Sequence, residues 1–357
     1  MARTVGPAGP TLAVIAREAG VSVPTASKVV NGREDVAPET RRRVTEVLDR
    51  LGYVRRSRDG AGRRPALVDL VVDALDSPWS GAVLHGVERA ARGAGLEVVV
   101  SAGPARAGGG AEAGWPARLA ARGSSGVLFH LVEPAPAPYT WLGRHRIPYV
   151  VIDPVPEPPP GAVSVGATDW RGGATATEHL LALGHTRIAV IAGHGRGPCG
   201  AARVAGYRSA LAAAGVARRP EYVRHGDDQG AGARSGMLDL LDLAEPPTGV
   251  FVCSDRMARE VYGALAERGL RVPHDMSVVG YGDLPEARWA APGLTTVRRP
   301  LSEMAATALR LLVRMTAGER LESTRTELST RLVVRASTAA PPGAGRPGAG
   351  GRPPGTS

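Results

Sequence analysis

From Ala66 onward the chain alternates short apolar runs with amphipathic helical stretches, and few architectures accept that pattern. ALVDLVVDAL at 66–75 reads as a buried strand, and 79–92 as a helix with Val83, Leu84, Val87, Ala90 and Ala91 inward. LEVVV, GVLFHL and YVVID continue as strands, with a helix at 115–122 between the first two. After AVSVG and a helix at 172–183, a second series begins at TRIAVIAG. It runs through a helix at 201–214, a strand near Tyr222, a helix around 236–243, and GVFVCS. A helix at 257–268, stopped by Gly269, precedes the strand SVVGY. A helix at 302–316 precedes one late strand, ELSTRLVVR. Alternation of this kind argues for parallel sheets covered by helices, because parallel neighbours need a crossover between them. Two similar series in succession imply two α/β lobes with a cleft between them.

The head of the chain follows a different period. Leu12, Ile15, Ala16 and Ala19 fall at i, i+3, i+4 and i+7, one face of a helix. Gly20 permits the turn after it. Ser22 suits the N-cap of a second helix, and Pro24 falls in its first turn, where a missing N–H costs nothing. That helix stops at Asn31-Gly32. A third begins near Pro38, carries Val44, Val47, Leu48 and Leu51 on one face, and ends at Gly52. The pattern is a helix-turn-helix with a supporting helix, over residues 11–53. Val23, Pro24, Thr25, Ser27 and Lys28 lie on the second helix, and Lys28 is the only lysine in the chain. Short side chains and a Lys at the start of a helix suit base edges in the DNA major groove. The plain alternative is a three-helix packing module with solvated charges.

Charge separates the two parts. Residues 1–64 hold thirteen Lys/Arg against seven Asp/Glu, while 65–338 hold twenty-nine against twenty-seven. A basic head on a nearly neutral body suits phosphate binding by the head alone. The chain of 357 residues with 43% apolar content has room for two or three folded domains. Residues 1–10 form a short flexible lead. Residues 54–65, VRRSRDGAGRRP, form a basic linker whose arginines, Arg55 and Arg56 among them, either follow DNA phosphates or are simply solvated. Residues 339–357 are rich in Pro and Gly, and disorder is expected there. Cys199 and Cys253 form no metal-spaced cluster and suit free thiols in a reducing cytoplasm. No apolar run approaches the length of a transmembrane helix, and MARTVGPAGP lacks a signal-peptide core. A cytoplasmic protein without membrane, metal or cofactor is expected.

Residues 11–53 closely resemble the DNA-binding headpiece of the lactose-repressor (LacI/GalR) family of bacterial transcription regulators. The resemblance is carried by Thr11-Leu12, Ala16, Ala19-Gly20-Val21-Ser22, Thr25, Ser27-Lys28-Val29, Asn31-Gly32, Glu39-Thr40-Arg41 and Leu51-Gly52-Tyr53. It implies that Val23, Pro24 and Lys28 read bases. It implies that Thr11, Ser22, Thr25, Ser27 and Asn31 position the helix on phosphates, with Arg41 and Tyr53 at the same interface. The usual hinge-helix pattern after Tyr53 is missing, since Val54-Arg55-Arg56 replaces its start and no apolar wedge follows. The rest resembles the family's effector domain, with the fold of periplasmic sugar-binding proteins. Asp76-Ser77-Pro78-Trp79, Leu183-Gly184-His185, Ala205-Gly206-Tyr207, Ser254-Asp255-Arg256-Met257-Ala258, Ser277-Val278-Val279-Gly280-Tyr281 and Leu294-Thr295-Thr296-Val297-Arg298 carry it. It implies a first lobe of about 66–165 plus 296–322, a second of about 166–295 plus 323–338, and a homodimer on a pseudo-palindromic double-stranded operator.

In open α/β sheets ligands bind beyond the C-terminal ends of strands. Asp73, Ser77, Trp79, Asp153, Arg203, Ser254, Asp255 and Asp283 occupy such positions. Carboxylates and guanidinium forks suit sugar hydroxyls, and an indole suits a sugar face. The resemblance places Trp79, Asp153 and Arg203 on the effector. Asp255 also reads as a helix N-cap, His185 as a turn residue, and Trp170 as core or cleft. Three positions depart from the family pattern: Ser254, Gly282 and Arg299. Arg299 beside Arg203 would favour an anionic sugar; retention of Trp79 and Asp153 favours a neutral oligosaccharide. No catalytic constellation accompanies these residues: Gly-Lys-Ser/Thr, His-Glu-x-x-His and Gly-x-Ser-x-Gly are all missing. The expectation is a ligand-responsive repressor, with a sugar-binding transport protein as the rival and an enzyme as the weaker one.

Overall fold

The computed structural model describes residues 12–30, 36–51, 66–103, 115–132, 136–154, 158–193, 198–226 and 231–342. The chain divides into two compact units, before and after the Arg64–Pro65 junction.

In the first unit three helices share one small core. α1 (Leu12–Glu18) leads into a turn where Gly20 adopts φ 62°, a conformation open to glycine. α2 (Val23–Val30) starts behind Ser22, whose hydroxyl accepts the Thr25 N–H at 3.3 Å. α3 (Pro38–Arg50) sets Val44 and Val47 against Ile15, Ala19, Val29 and Val36. Ser22, Val23, Pro24 and Lys28 remain exposed, while Ala26 and Val29 turn inward. Thr11, Asn31, Tyr53, Arg55, Arg56 and the linker lie outside the described residues.

The second unit holds twelve strands among the described residues: β1 (Ala66–Val72), β2 (Leu96–Ala102), β3 (Gly126–His130), β4 (Tyr149–Ile152), β5 (Val163–Ala167), β6 (Ile188–Ala192), β7 (Val223–His225), β8 (Gly249–Val252), β9 (Ser277–Gly282), β10 (Thr295–Arg298), β11 (Arg325–Leu328) and β12 (Arg331–Val333). They form two sheets, in the orders β11-β5-β4-β3-β1-β2 and β12-β10-β9-β8-β6-β7. Pairing is parallel except for β10 with β12. In each sheet the order reverses at one strand, β1 or β6, which opens a crevice at the strand ends there.

Helices cover both faces. In the first lobe α4 (Pro78–Ala94) packs on one face, and α5 (Trp115–Arg122) and α6 (Pro136–Arg144) on the other. Leu70 and Val72 enter the core under α4, and the alternate Val71 enters the core on the opposite face. In the second lobe α7 (Asp169–Ala182) and α8 (Pro198–Ala213) share one face. α9 (Ala231–Leu241), α10 (Asp255–Glu267) and α11 (Pro285–Trp289) cover the other. α12 (Leu301–Thr316) returns to the first lobe beside α4. The helices α6 and α11, each opening on proline, are not read from the sequence pattern.

The crossings between lobes depart from the expected boundaries. β10 pairs with β9, so residues 296–298 stay in the second lobe and the chain crosses after Arg298. The single late strand is two strands in different sheets. β11 extends the first sheet beside β5 and β12 the second beside β10, so the chain recrosses at Ser329-Thr330 rather than near 322. Thr168, at the first crossing, ties the last one: its N–H donates to the Leu328 carbonyl at 3.0 Å and its hydroxyl accepts the Thr330 N–H at 3.0 Å. A period-2 pattern continues through a sheet change without a break, which is why the sequence merges the two strands. The expected disordered tail also begins too early. Ala339 exchanges backbone hydrogen bonds with the Ser277 hydroxyl, and His185, buried, joins the same cluster through the Ala339 carbonyl. Residues 343–357 lie outside the described residues.

α7 and α8 touch through glycine. A Cβ on Gly206 would collide with the Trp170 carbonyl and lie 2.7 Å from Ala174 N; one on Gly173 would strike the main chain of Arg203. Asp169 and Arg203 stand on these helices, so the glycine contact sets their separation. Gly206→Ala should cost about 1–3 kcal/mol through overpacking, read as a lowered thermal midpoint of the purified chain.

Candidate functional site

Each lobe delivers charged side chains from its strand ends to the crossings. Asp153 follows β4 with φ 56°, a left-handed conformation that an aspartate tolerates better than most residues. That conformation turns its carboxylate to Arg299, the first residue after β10. Arg299 Nη1 donates to Asp153 Oδ2 at 2.7 Å, and its Nη2 donates to Oδ1. Both side chains are almost wholly buried. Asp169, the first residue of α7, is the second carboxylate. It accepts Arg203 Nε and the Tyr281 hydroxyl, each at 2.8 Å, and lies 3.8 Å from Arg299 Nε. Arg203 also donates to the Cys253 carbonyl at 3.0 Å and stacks 4.1 Å over the Tyr281 ring.

The result is a buried quartet of two carboxylates and two guanidiniums, with no net charge. Burial alone would push the Asp153 carboxyl up, but Arg299 and Arg203 outweigh it and hold the group well below the usual carboxylate range. Cys199 donates its thiol to Asp153 Oδ1 at 3.3 Å, and burial with two nearby carboxylates pushes that thiol up. Asp153, Asp169 and Cys199 could in principle gather round a cation. Their carboxylates are already neutralised by arginine, which repels one.

His130 ends β3 in the same region. It is fully buried, and among the described residues neither ring nitrogen has a hydrogen-bond partner. Burial pushes its pKa down to about 4, opposed by Asp153 and aided by Arg299, so the ring is neutral.

Other expected site residues separate from this cluster. Asp255 is buried beneath the strand ends of the second sheet. It accepts the Thr296 hydroxyl at 2.6 Å and the Leu284 N–H at 2.9 Å, and burial raises its pKa to about 6. Each of its oxygens thus takes a hydrogen bond from inside the lobe. It is not the N-cap; Ser254 holds that position, half-buried. Asp283 is likewise engaged within the lobe, accepting from Arg298 on one oxygen and Arg335 on the other. Gly282 between them adopts φ 135°, where a side chain is strained, and its Cβ would lie 3.1 Å from Asp255. Asp73 is exposed, Ser77 precedes α4 without a side-chain cap bond, and Trp79 is half-buried against the first-lobe core. Trp170 is 47% exposed, which excludes the core alternative. Asp169, Tyr281 and His130 were not anticipated. GVLFHL placed His130 at a strand end, the one signal available.

Residues 11–56 match the family model for bacterial regulatory proteins of the lacI family, and 177–338 match a periplasmic binding protein-like domain. The chain is 36% identical over 344 residues to the HTH-type transcriptional regulator CelR of Thermobifida fusca, covering 92% of this chain and 98% of that one. It is 31% identical over 332 residues to the transcriptional repressor PurR of Erwinia tasmaniensis, covering 92% and 97%. Among solved structures it resembles a CelR–cellobiose complex at TM-score 0.70 and 34% identity, covering 92% of this chain and 99% of that one. It also resembles the lac repressor dimer bound to operator and the anti-inducer ONPF, at TM-score 0.72 and 26% identity, covering 93% and 100%.

Breaking the quartet from one side leaves a buried charge alone. Asp153→Leu should cost about 3–5 kcal/mol, while Asp153→Leu with Arg299→Met should recover most of it; thermal unfolding of the three proteins checks this. His130 supplies a pH signature. The unfolded imidazole takes a proton below about 6.5 and the folded one only near 4, so its contribution is whole above 6.5 and is lost as pH falls toward 4. That loss amounts to about 2 kcal/mol at pH 5, and His130→Gln should shrink the stability difference between pH 7 and pH 5 by this much.

Proposed function

The chain belongs to the LacI family of bacterial regulatory proteins and is a DNA-binding transcriptional regulator, and from that premise we propose that it acts as a homodimeric repressor on a pseudo-palindromic operator, controlled by a small neutral saccharide. The carrying observation is the full-length match to transcriptional regulators, joined to a headpiece that leaves Val23, Pro24 and Lys28 exposed on α2. An exposed helix face with short side chains at its start and Lys28 in its last turn fits base edges in the major groove. Ser22, Thr25 and Ser27 beside them, with Arg41 on α3, fit phosphate contacts. Dimeric heads fit two half-sites about one helical turn apart.

The neutral ligand follows from charge. Arg203 and Arg299 do not offer a free positive pair, because Asp169 and Asp153 already compensate them. An anionic sugar would have to break a buried ion pair to gain one, whereas hydroxyls need only hydrogen-bonding groups. The cellobiose complex of CelR supports a saccharide of this class. Effector binding acts by favouring one arrangement of the lobes, a population shift limited by the ligand's differential affinity for the two states. In this reading Asp153 and Arg203 act through the quartet.

Gel-shift titration against the chain's own promoter region tests the regulator reading. Lys28→Ala should weaken specific binding by about 1–3 kcal/mol and relax preference at one base per half-site. Arg41→Ala should weaken all sequences alike. Unchanged sequence preference in Lys28→Ala would remove its base-reading role, and a monomer on a single half-site would remove the dimer.

A further inference from the structure

We propose that His130 is the first-lobe hydrogen-bonding group for the ligand, and that Arg299 has taken Asp153 out of the ligand set. The inference deepens the saccharide reading and rests on it.

The first observation is the occupancy of Asp153. Both carboxylate oxygens accept from the Arg299 guanidinium, and a third donor, the Cys199 thiol, also reaches Oδ1. Three of about four acceptor sites on the carboxylate are thereby taken; a sugar hydroxyl would have to enter beside a guanidinium that already neutralises the charge, with both side chains almost wholly buried, so Asp153 is left a weak acceptor. The second observation is the converse at His130. Its ring is fully buried, yet both nitrogens are unpaired among the described residues. An unpaired buried polar group is costly, and such groups are uncommon in folded chains.

Place strengthens the assignment. His130 is the last residue of β3, in register with Val72 of β1 and Ile152 of β4. β1 is the strand at which the order of the first sheet reverses, so His130 stands at the crevice where open α/β sheets bind ligands. It lies close enough to Asp153 and Arg299 for both to act on its titration. Ser80, in the first turn of α4 after β1, adds a buried hydroxyl that also has no partner among the described residues, at the same end of the lobe. A neutral imidazole offers one donor and one acceptor, matching a sugar hydroxyl that both accepts and donates. It offers no charge, so it selects neutral ligands.

The test uses the full-length protein and titration calorimetry with cellobiose, maltose and glucose 6-phosphate, beside operator gel shifts. Wild type should bind a neutral disaccharide and not the phosphate. His130→Leu keeps the volume and removes both polar atoms. It should weaken sugar binding by about tenfold or more while melting no lower than wild type, because an unsatisfied buried group has been removed. His130→Gln, which keeps a donor and an acceptor, should stay within about threefold. Asp153→Asn with Arg299→Gln should also stay within about threefold, since neither side chain is a direct contact. Unchanged affinity in His130→Leu, or loss of binding in the double variant, overturns this assignment and leaves the saccharide reading standing. A wild type that shifts operator DNA but binds none of the three sugars overturns the saccharide reading and this inference with it.

Discussion

Four charges buried at the lobe crossings are the constraint around which the second unit is arranged. Taking two carboxylates and two guanidiniums out of water is expensive, and their mutual attraction repays that cost only in good geometry. The geometry comes from four separate places: the end of β4, the start of α7, the second turn of α8 and the residue after β10. Each must arrive within hydrogen-bonding distance. A slip of any crossing would leave a charge unpaired, so the quartet penalises wrong arrangements of the lobes more than it stabilises the right one.

Several local features follow from this demand. Gly173 and Gly206 let α7 and α8 approach closely enough for Arg203 to reach Asp169. Asp169 also sits in the first turn of α7, where a negative charge is favourable. Asp153 adopts a left-handed conformation that aims its carboxylate across the crossing. Asp283 is left-handed too, after β9, and is clamped within the second lobe by Arg298 and Arg335. Arg298 and Arg299 are adjacent, and each holds a different aspartate. One dipeptide at a crossing thereby joins the second sheet to both lobes.

The same arrangement bears on regulation. A ligand can move a two-state protein only by binding its states unequally. Asp153 comes from the first lobe, and Asp169 and Arg203 come from the second, with Arg299 at the crossing between. Any change in the angle between lobes alters distances within the quartet. The quartet therefore spans both lobes.

Much of this protein was legible before the fold was known, and the reason is locality. The head was readable because its signals lie within a few residues of one another: Ser22 caps the helix that Thr25 belongs to, and Ala26 and Val29 repeat on one face. The α/β alternation was readable for the same reason, since period and length are properties of single segments. The sequence also placed Asp153, Arg203 and Arg299 near a cleft, through strand ends and family resemblance. It did not reveal that Arg299 pairs with Asp153, because 146 positions separate them and only the return of the chain after β10 brings them together. Nor did it separate β11 from β12, since alternation survives a change of sheet. Asp255 and Asp283 looked available because sequence records which residues carry carboxylates but not which donors fold onto them. His130 looked like part of an apolar strand; its unpaired nitrogens exist only once the neighbouring strands have closed around it.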